Sequence, residues 1–287
     1  MSLEIGNSYV DLPTGKPHVS FSELRDWQDC SYRHKLKHVN KITLSEPSPI
    51  LYFGTAVHAA CEEYIKTKQM NSKVSIDTLN AAWQENEGKK GFEKESLPSF
   101  ITECENILTD VPSFLDINFP GWECVDAEHA LYEPIEKYPH AFKGFIDVII
   151  KIKDKKDDDL YWLLDWKTTS WGWTAEKKSD PRFQQQLIFY KNFWSAKVGI
   201  NPKKIRCGFV LLKRTAKPGQ HCELVKVSVG DVTTGRSLKV LNNMVGSIKR
   251  GVAIKNRDSC TYCEYKGTEH CQLIDISWLH LDIAILR

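Results

Sequence analysis

Two stretches of the sequence decide the fold, GFIDVII at residues 144–150 and LLDWKTTS at residues 163–170. Each is an apolar run interrupted by an acid, and in the second a lysine follows two positions after the acid. Side chains alternate along a β-strand, so Asp165 and Lys167 should project to one side of a sheet while Trp166 points to the other. The two stretches therefore predict neighbouring strands that bring charged groups together.

The composition favours a globular protein with a sizeable core. The chain has 287 residues, of which 41% are hydrophobic and 26% charged, and no apolar run approaches the roughly 18 residues needed to span a bilayer. The first residues, MSLEIGNSYVDLP, lack the basic and apolar regions of a secretory signal. We therefore expect a cytoplasmic protein with no membrane partner. Its net charge of +2 neither requires nor excludes nucleic acid.

The order of sequence patterns predicts an α/β fold in a single domain over residues 1–287. A helical pattern begins at Ser20 or Ser22, and residues 70–125 predict a helical insertion with ending signals at Pro98, Pro112 and Pro120. From Ala130 onward the hydrophobic period becomes that of short strands. The predicted strands cover residues 130–135, 145–152 and 160–166, and a further helix begins at residues 180–181.

Asp147 is the least expected residue of the first stretch, because its neighbours in the strand are apolar. A buried carboxylate costs several kcal/mol unless it is paired, hydrogen-bonded or bound to a cation. If the two strands are adjacent, Asp147 and Asp165 converge on one divalent ion, and the Trp166 carbonyl adds an oxygen ligand. Such a set suits Mg²⁺ or Mn²⁺. Lys167 would orient or deprotonate the metal-bound water for attack on a phosphate.

Purely structural roles for the same residues are the alternatives. Asp147 could be a hydrogen-bonded structural acid, and Asp165 with Lys167 could form an exposed ion pair that contributes about 0.2–1 kcal/mol. His58 alone is more often a core or surface histidine than a metal ligand.

Four motifs, in this order, resemble the RecB-type branch of the PD-(D/E)XK nuclease superfamily: GTAVH, GFIDVII, DWKTT and QLIFY. The resemblance runs from about Phe21 to Cys271. It implies a restriction-endonuclease-like core, in which a mixed central sheet is flanked by helices, and a metal ligand supplied from a helix by His58. Ile146 stands where the superfamily pattern has proline, and the second acid is aspartate rather than glutamate.

The same resemblance implies roles for the remaining motif residues. Asp147 and Asp165 would bind the catalytic metal, and Lys167 would be the catalytic lysine. Gln186 and Tyr190 would line the active site and the path of the DNA. Without the other motifs, these two residues would be assigned to ordinary helix surface and core packing.

A cysteine triplet, Cys260-x2-Cys263-x7-Cys271, has the arrangement in which a loop wraps thiolates around a metal. It is similar to the triplet of the iron–sulfur nucleases AddB and the CRISPR adaptation nucleases, whose fourth cysteine precedes the histidine motif. Cys30 stands at that place. We therefore expect a [4Fe–4S] cluster that joins segment 256–273 to the N-terminal helix around Cys30. A Cys₄ zinc site and free thiols are the alternatives.

Basic and aromatic residues near the motifs are candidates for DNA binding. Cations could follow the phosphates, and tryptophan rings could stack on unpaired bases or simply close a core. The candidates are Arg33, Lys177, Lys178, Arg182, Trp171 and Trp173.

The sequence thus predicts a metal-dependent DNA nuclease. Hydrolysis of phosphodiester bonds follows from the predicted site, whereas an exonuclease acting on single-stranded or end-bearing DNA follows from the resemblance alone. A recombination or repair nuclease encoded by a phage or mobile element would suit a chain without a helicase motif. The alternatives are a non-catalytic nucleic-acid-binding module and a Cys₄ zinc protein whose acid pairs are structural. Partner proteins cannot be read from the sequence.

Overall fold

The computed structural model describes residues 17–44 and 46–272, which form two compact units. Among the described residues, the sheet unit combines 17–21 with 46–246, and the cysteine unit combines 22–44 with 247–272. The single domain predicted for residues 1–287 stays a prediction, as does the interpretation of the first residues, which lie outside the described ones. Among the described residues, no helix is long and apolar enough to cross a membrane.

The sheet unit contains the predicted mixed sheet flanked by helices. Five strands follow the order β1-β3-β4-β5-β6, and β2 pairs with the other edge of β3. The pairs β1–β3 and β4–β5 are parallel, and the others are antiparallel. The strands are β1 (His18–Ser20), β2 (Glu123–Pro134), β3 (Ala141–Lys153), β4 (Asp159–Thr169), β5 (Ile205–Lys213) and β6 (Cys222–Val227).

The described α-helices agree only in part with the sequence-based boundaries. Pro112, predicted to end a helix, lies inside one, and Pro98 lies in the first turn of that helix, where its missing N–H costs nothing. The helices are α1 (Phe21–Asp29), α2 (Ser31–His34), α3 (Pro49–Thr67), α4 (Ser72–Glu85), α5 (Lys90–Glu93), α6 (Leu97–Asn118), α7 (Ala175–Ser179), α8 (Pro181–Val198) and α9 (Asp231–Lys249).

Alternation along β4 directs its side chains to two layers. Trp162, Leu164 and Trp166 are buried in a core that includes residues of α3 and α6. On the opposite face Tyr161 meets Trp194 of α8, with ring centroids 5.7 Å apart. The sheet is therefore enclosed between α3 with α6 and α8, as the apolar character of its strands requires.

The strands β3 and β4 separate in the middle of the sheet. Their last ladder pair is Val148 with Leu164, so Asp147 and Asp165 are the first residues past the point of separation. One Asp147 carboxylate oxygen, Oδ2, accepts a hydrogen bond from the Trp166 N–H at 2.7 Å. A side chain thus takes the place of a backbone acceptor where the ladder stops.

The helical pattern predicted from Ser20 or Ser22 is interrupted in the cysteine unit. Cys30 has an extended backbone between α1 and α2, and residues 35–39 then form a π-helical turn. The two sequence segments of the unit are joined by hydrogen bonds, among them Tyr265 Oη to the Ile42 carbonyl at 2.6 Å. The Ser31 hydroxyl and the Ile254 backbone form another link.

Candidate active site

Three carboxylates lie side by side where β3 and β4 separate. Continuing the β3–β4 register past its last pair places Asp165 opposite Asp147. On the other edge of β3, the pairs Ala127–Val148 and His129–Ile146 place Glu128 of β2 opposite Asp147 as well. Three neighbouring strands therefore contribute one acid each at the same level.

Glu128 is held in an unusual backbone conformation. Its φ is +54°, in the left-handed region that non-glycine residues adopt at a cost of order 1–3 kcal/mol. The Asp126 carboxylate contacts the residues on both sides of Glu128. One of its oxygens accepts the Ala127 N–H at 2.8 Å, and the other lies 2.6 Å from His129 Nδ1. The strand bulges between Cys124 and Asp126, and bulges commonly redirect a side chain beside an active site.

His58 reaches the carboxylates from α3. Its Nδ1 lies 3.7 Å from Asp147 Oδ2. Burial, reinforced by the charge of Lys167, lowers the pKa of His58 to about 4. The imidazole is therefore neutral near pH 7, which is the form that binds metals.

Asp165 is surrounded by three side chains from β4 and α8. Lys167 Nζ lies 2.7 Å from its Oδ2, and Gln186 donates a hydrogen bond from Nε2 to its Oδ1 at 2.7 Å. The same Nε2 donates to the Tyr190 hydroxyl at 3.1 Å. Tyr190 in turn lies over Gly144, where an added Cβ would come within 2.7 Å of the ring.

Burial raises the pKa values of all three acids, and neighbouring acids add to the shifts of Asp147 and Glu128. Burial raises the pKa of Asp147 well above its usual range, and the charge of Asp165 adds to this. Burial also raises the pKa of Asp165, although Lys167 opposes the shift. The pKa of Glu128 is raised to about 7 by burial, Glu62 and Asp165. The single ammonium of Lys167 offsets only part of the repulsion among the acids. A bound cation would offset the rest.

One group among the described residues has metal-ligand spacing. It consists of His58, Glu128 and Asp147, whose ligand atoms all lie within 4.8 Å of one another. Carboxylates with a neutral imidazole suit a divalent ion such as Mn²⁺. Asp165 is outside this closest set, and its buried Oδ2 is paired with Lys167 Nζ at 2.7 Å. These donors fit one divalent cation.

The residues predicted to contact DNA differ from one another in their partners and exposure. Arg182 pairs with Asp180, Lys178 with Glu223, and Lys177 lies over the Trp173 ring at 4.8 Å. Trp171 is exposed.

Arg33 lies in the cysteine unit, where its Nε is 3.0 Å from Glu264 Oε2. There it links the two segments of that unit.

Comparison with known proteins identifies the fold and the family. The family model described as "PD-(D/E)XK nuclease superfamily" matches residues 18–269. The chain belongs to the PD-(D/E)XK nuclease superfamily. Membership supports a nuclease, a hydrolase of phosphodiester bonds. It does not distinguish the iron–sulfur branch within the superfamily.

Two solved structures that match the chain share little sequence with it. A crystal structure from Eubacterium rectale, named "Putative exonuclease", has a TM-score of 0.58 and 16% identity, covering 99% of this chain and 100% of its own. A structure named SSO0001 has a TM-score of 0.34 and 12% identity over 85% of this chain and 93% of its own. No curated protein matches the chain in sequence.

The sequence patterns do not point to Glu128. The predicted strand begins at Ala130, whereas β2 begins at Glu123, so Glu128 lies outside the predicted strand. Extending the strand toward the N-terminus and pairing it with β3 would have placed Glu128 beside Asp147. The register supplies this signal, and no motif does.

Gly144→Ala should damage the site through Tyr190. The new Cβ would lie 2.7 Å from Tyr190 Cε1, so the ring must move and Gln186 loses its hydrogen bond to the Tyr190 hydroxyl. We expect destabilisation by about 1–3 kcal/mol and at least a tenfold fall in nuclease kcat. Thermal unfolding and single-turnover cleavage measure the two effects.

Gly208→Ala is the matched control, because its Cβ would be equally crowded, 2.8 Å from Leu224 Cδ1. It should destabilise without a comparable loss of kcat. In a Tyr190→Ala background, Gly144→Ala should have little further effect on kcat. An equal loss in both backgrounds would show that Gly144 does not act through Tyr190.

Glu128→Gln should change the pH dependence of stability. Because the pKa of folded Glu128 is raised to about 7, the folded protein binds more protons than the unfolded chain between about pH 4.5 and 7, and the free energy of unfolding falls as pH rises. The variant should lose that part of the slope in metal-free thermal unfolding. Glu123→Gln, exposed on the same strand, is the control. Identical slopes for wild type and Glu128→Gln would contradict the assignment.

Proposed function

We propose that the chain is a metal-dependent deoxyribonuclease that acts from DNA ends. The observation that carries the proposal is the convergence of Asp147, Asp165, Glu128 and His58 beside Lys167, where β3 and β4 separate. Acids that strands bring together in a buried site repel one another, and such an arrangement is typical of functional sites.

His58, Glu128 and Asp147 would hold Mg²⁺ or Mn²⁺, with Asp165 and the Trp166 carbonyl as further oxygen donors. The imidazole in this set favours Mn²⁺. When bound, the ion polarises a phosphodiester oxygen and lowers the pKa of its water.

Lys167 would orient or deprotonate the attacking water and stabilise the negative charge that develops on the phosphoryl oxygens. Its Nζ lies against Asp165, so the ammonium is held at the edge of the acid cluster, where a phosphate would enter. Gln186 and Tyr190 would keep the Asp165 carboxylate in one orientation through their shared hydrogen bonds. These residues supply positioning and charge stabilisation, the main contributions to phosphoryl-transfer catalysis.

The exonuclease assignment is supported by the resemblance of the motifs and by the name of the E. rectale structure, which shares the fold. DNA as substrate follows from the superfamily. A cytoplasmic location and a role in recombination or repair stay predictions of the sequence.

We further propose that Cys30, Cys260, Cys263 and Cys271 hold a [4Fe–4S] cluster in the cysteine unit. All four line one cavity of about 60 Å³, which is larger than a single ion needs. In a tetrahedral zinc site with 2.3 Å bonds, the sulfurs would be about 3.8 Å apart. No three of these thiols lie within 4.8 Å of one another in the described part of the chain.

The surroundings of the thiols also suit a cluster. The Asn256 N–H donates to Cys30 Sγ at 3.3 Å, and N–H···S bonds are one way in which proteins tune such centres. Burial raises the pKa of Cys271, as do Cys263, Cys260 and Cys30, whereas Lys255 lowers it. Four thiolates thus need a compensating cationic centre. The predicted segment extends to residue 273, which lies outside the described residues.

Nuclease activity should depend on Lys167 and on a divalent ion. Wild-type protein, purified anaerobically, should shorten end-labelled single- or double-stranded DNA with Mn²⁺ or Mg²⁺ and leave circular DNA intact. Lys167→Ala should lower kcat by about 10²–10⁴-fold while retaining DNA binding. Lys197→Ala, which removes a surface lysine paired with Glu133, should retain full activity.

Absence of metal-dependent cleavage by well-folded wild type would instead favour the non-catalytic binding module. Cleavage of circular DNA would show an endonuclease.

The cysteine unit should contain about four iron and four sulfide per chain. Serine at Cys30, Cys260, Cys263 or Cys271 should lower the iron content and the visible absorption, whereas Cys124→Ser, at an exposed thiol, should leave both unchanged. Metal and sulfide analysis decides between the cluster and its alternatives. One zinc per chain without sulfide would identify the Cys₄ zinc site.

A further inference from the structure

Trp171 lies almost entirely in solvent, unlike the other described tryptophans. Its exposed fraction is 81%, whereas Trp122, Trp162, Trp166 and Trp194 are all below 10%. The remaining described tryptophans are partly buried. Because an indole offers a large area for burial, this position calls for a specific explanation.

The turn that carries Trp171 is fixed on its N-terminal side. The Ser170 carbonyl accepts hydrogen bonds from the Thr215 N–H at 3.0 Å and from the Thr215 hydroxyl at 2.8 Å. The preceding Thr169 carbonyl accepts the Arg214 N–H at 2.9 Å. These bonds fix the chain directly after β4.

The turn is fixed on its C-terminal side as well. The Trp173 ring packs between Phe209 and Phe183, with centroids 5.1 and 5.7 Å away. Gly172 has a φ of +122°, which side chains rarely permit. Trp171 is therefore held outward by a backbone anchored at both ends, and it does not lie on a loose loop.

Positive charge lies beside this turn. A Cβ on Gly172 would be 3.5 Å from Lys213 Cδ and 3.7 Å from Glu223 Oε2. Glu223 pairs with both Lys213 and Lys178, so one acid is shared by two lysines. An exposed aromatic ring next to surplus cationic charge is the combination with which proteins bind unpaired nucleic acid.

We propose that Trp171 stacks on a base of an unpaired DNA strand that enters the active site. Trp171 follows Lys167 by four residues, a span of at most about 14 Å, so the stacked base belongs to a nucleotide within a few positions of the scissile bond. Lys178 and Lys213 attract the neighbouring phosphates. The preferred substrate is then single-stranded DNA or a frayed end. This inference rests on the proposed nuclease function and adds the substrate class.

Trp171→Ala and Trp171→Phe test the stacking directly. Binding of a fluorescent oligodeoxythymidylate, measured by anisotropy without divalent metal, should weaken about tenfold in Trp171→Ala and stay within about threefold in Trp171→Phe. Ile117→Ala is the matched control, because Ile117 is a 76% exposed apolar residue of the same unit. Its binding should equal that of wild type.

Cleavage separates this inference from the proposed function. In Mn²⁺, the ratio of kcat/KM for the oligonucleotide to kcat/KM for thymidine 5′-(4-nitrophenyl phosphate), which has a single base, should fall about tenfold in Trp171→Ala. Wild-type cleavage with an unchanged ratio and unchanged binding in Trp171→Ala would overturn the stacking role alone. If wild type cleaves neither substrate, the nuclease proposal fails, and the anisotropy comparison still decides the stacking.

Discussion

The site depends on the repulsion among carboxylates that three neighbouring strands bring to one level. β2, β3 and β4 contribute Glu128, Asp147 and Asp165 at the place where the ladder between β3 and β4 ends. Burial raises the pKa values of all three acids, and the charge of Asp165 adds to the shifts of Asp147 and Glu128, since like charges in a buried site cannot all ionise without compensation. The remaining features of the site offset or exploit this repulsion. Lys167 supplies a cation and His58 a neutral nitrogen beside the acids, and the group of His58, Glu128 and Asp147 has the spacing of metal ligands.

Where β3 and β4 separate, side chains make contacts that a regular sheet does not contain. Asp147 accepts the Trp166 N–H that a continuing ladder would have bound. Gly144, three residues earlier, leaves room for Tyr190, which shares a hydrogen bond donor with Asp165 through Gln186. The sequence motifs GFID and QLIFY are thus physically coupled, because the glycine of one accommodates the tyrosine of the other.

The sequence predicts those features of the fold and the site that follow from local periodicity. Alternation places Asp165 and Lys167 together, and an acid within an apolar strand marks Asp147. Glu128 was out of reach because its position depends on the register between β2 and β3 and on a backbone φ of +54°. The prediction that Pro112 ends a helix is wrong, because a long amphipathic helix with a buried face can tolerate an internal proline. The break at Cys30 and the ion pair between Arg33 and Glu264 arise from contacts between distant segments, which periodicity cannot show.

A crystal of the protein grown with Mn²⁺ and measured at the manganese absorption edge would show directly whether the carboxylates hold a metal. We expect an anomalous peak at bonding distance from Asp147, with His58 and at least one of Glu128 and Asp165 among the other ligands of the ion. A well-ordered site without a peak near Asp147, or with manganese only elsewhere, would contradict the claim that these carboxylates are assembled to hold a catalytic metal.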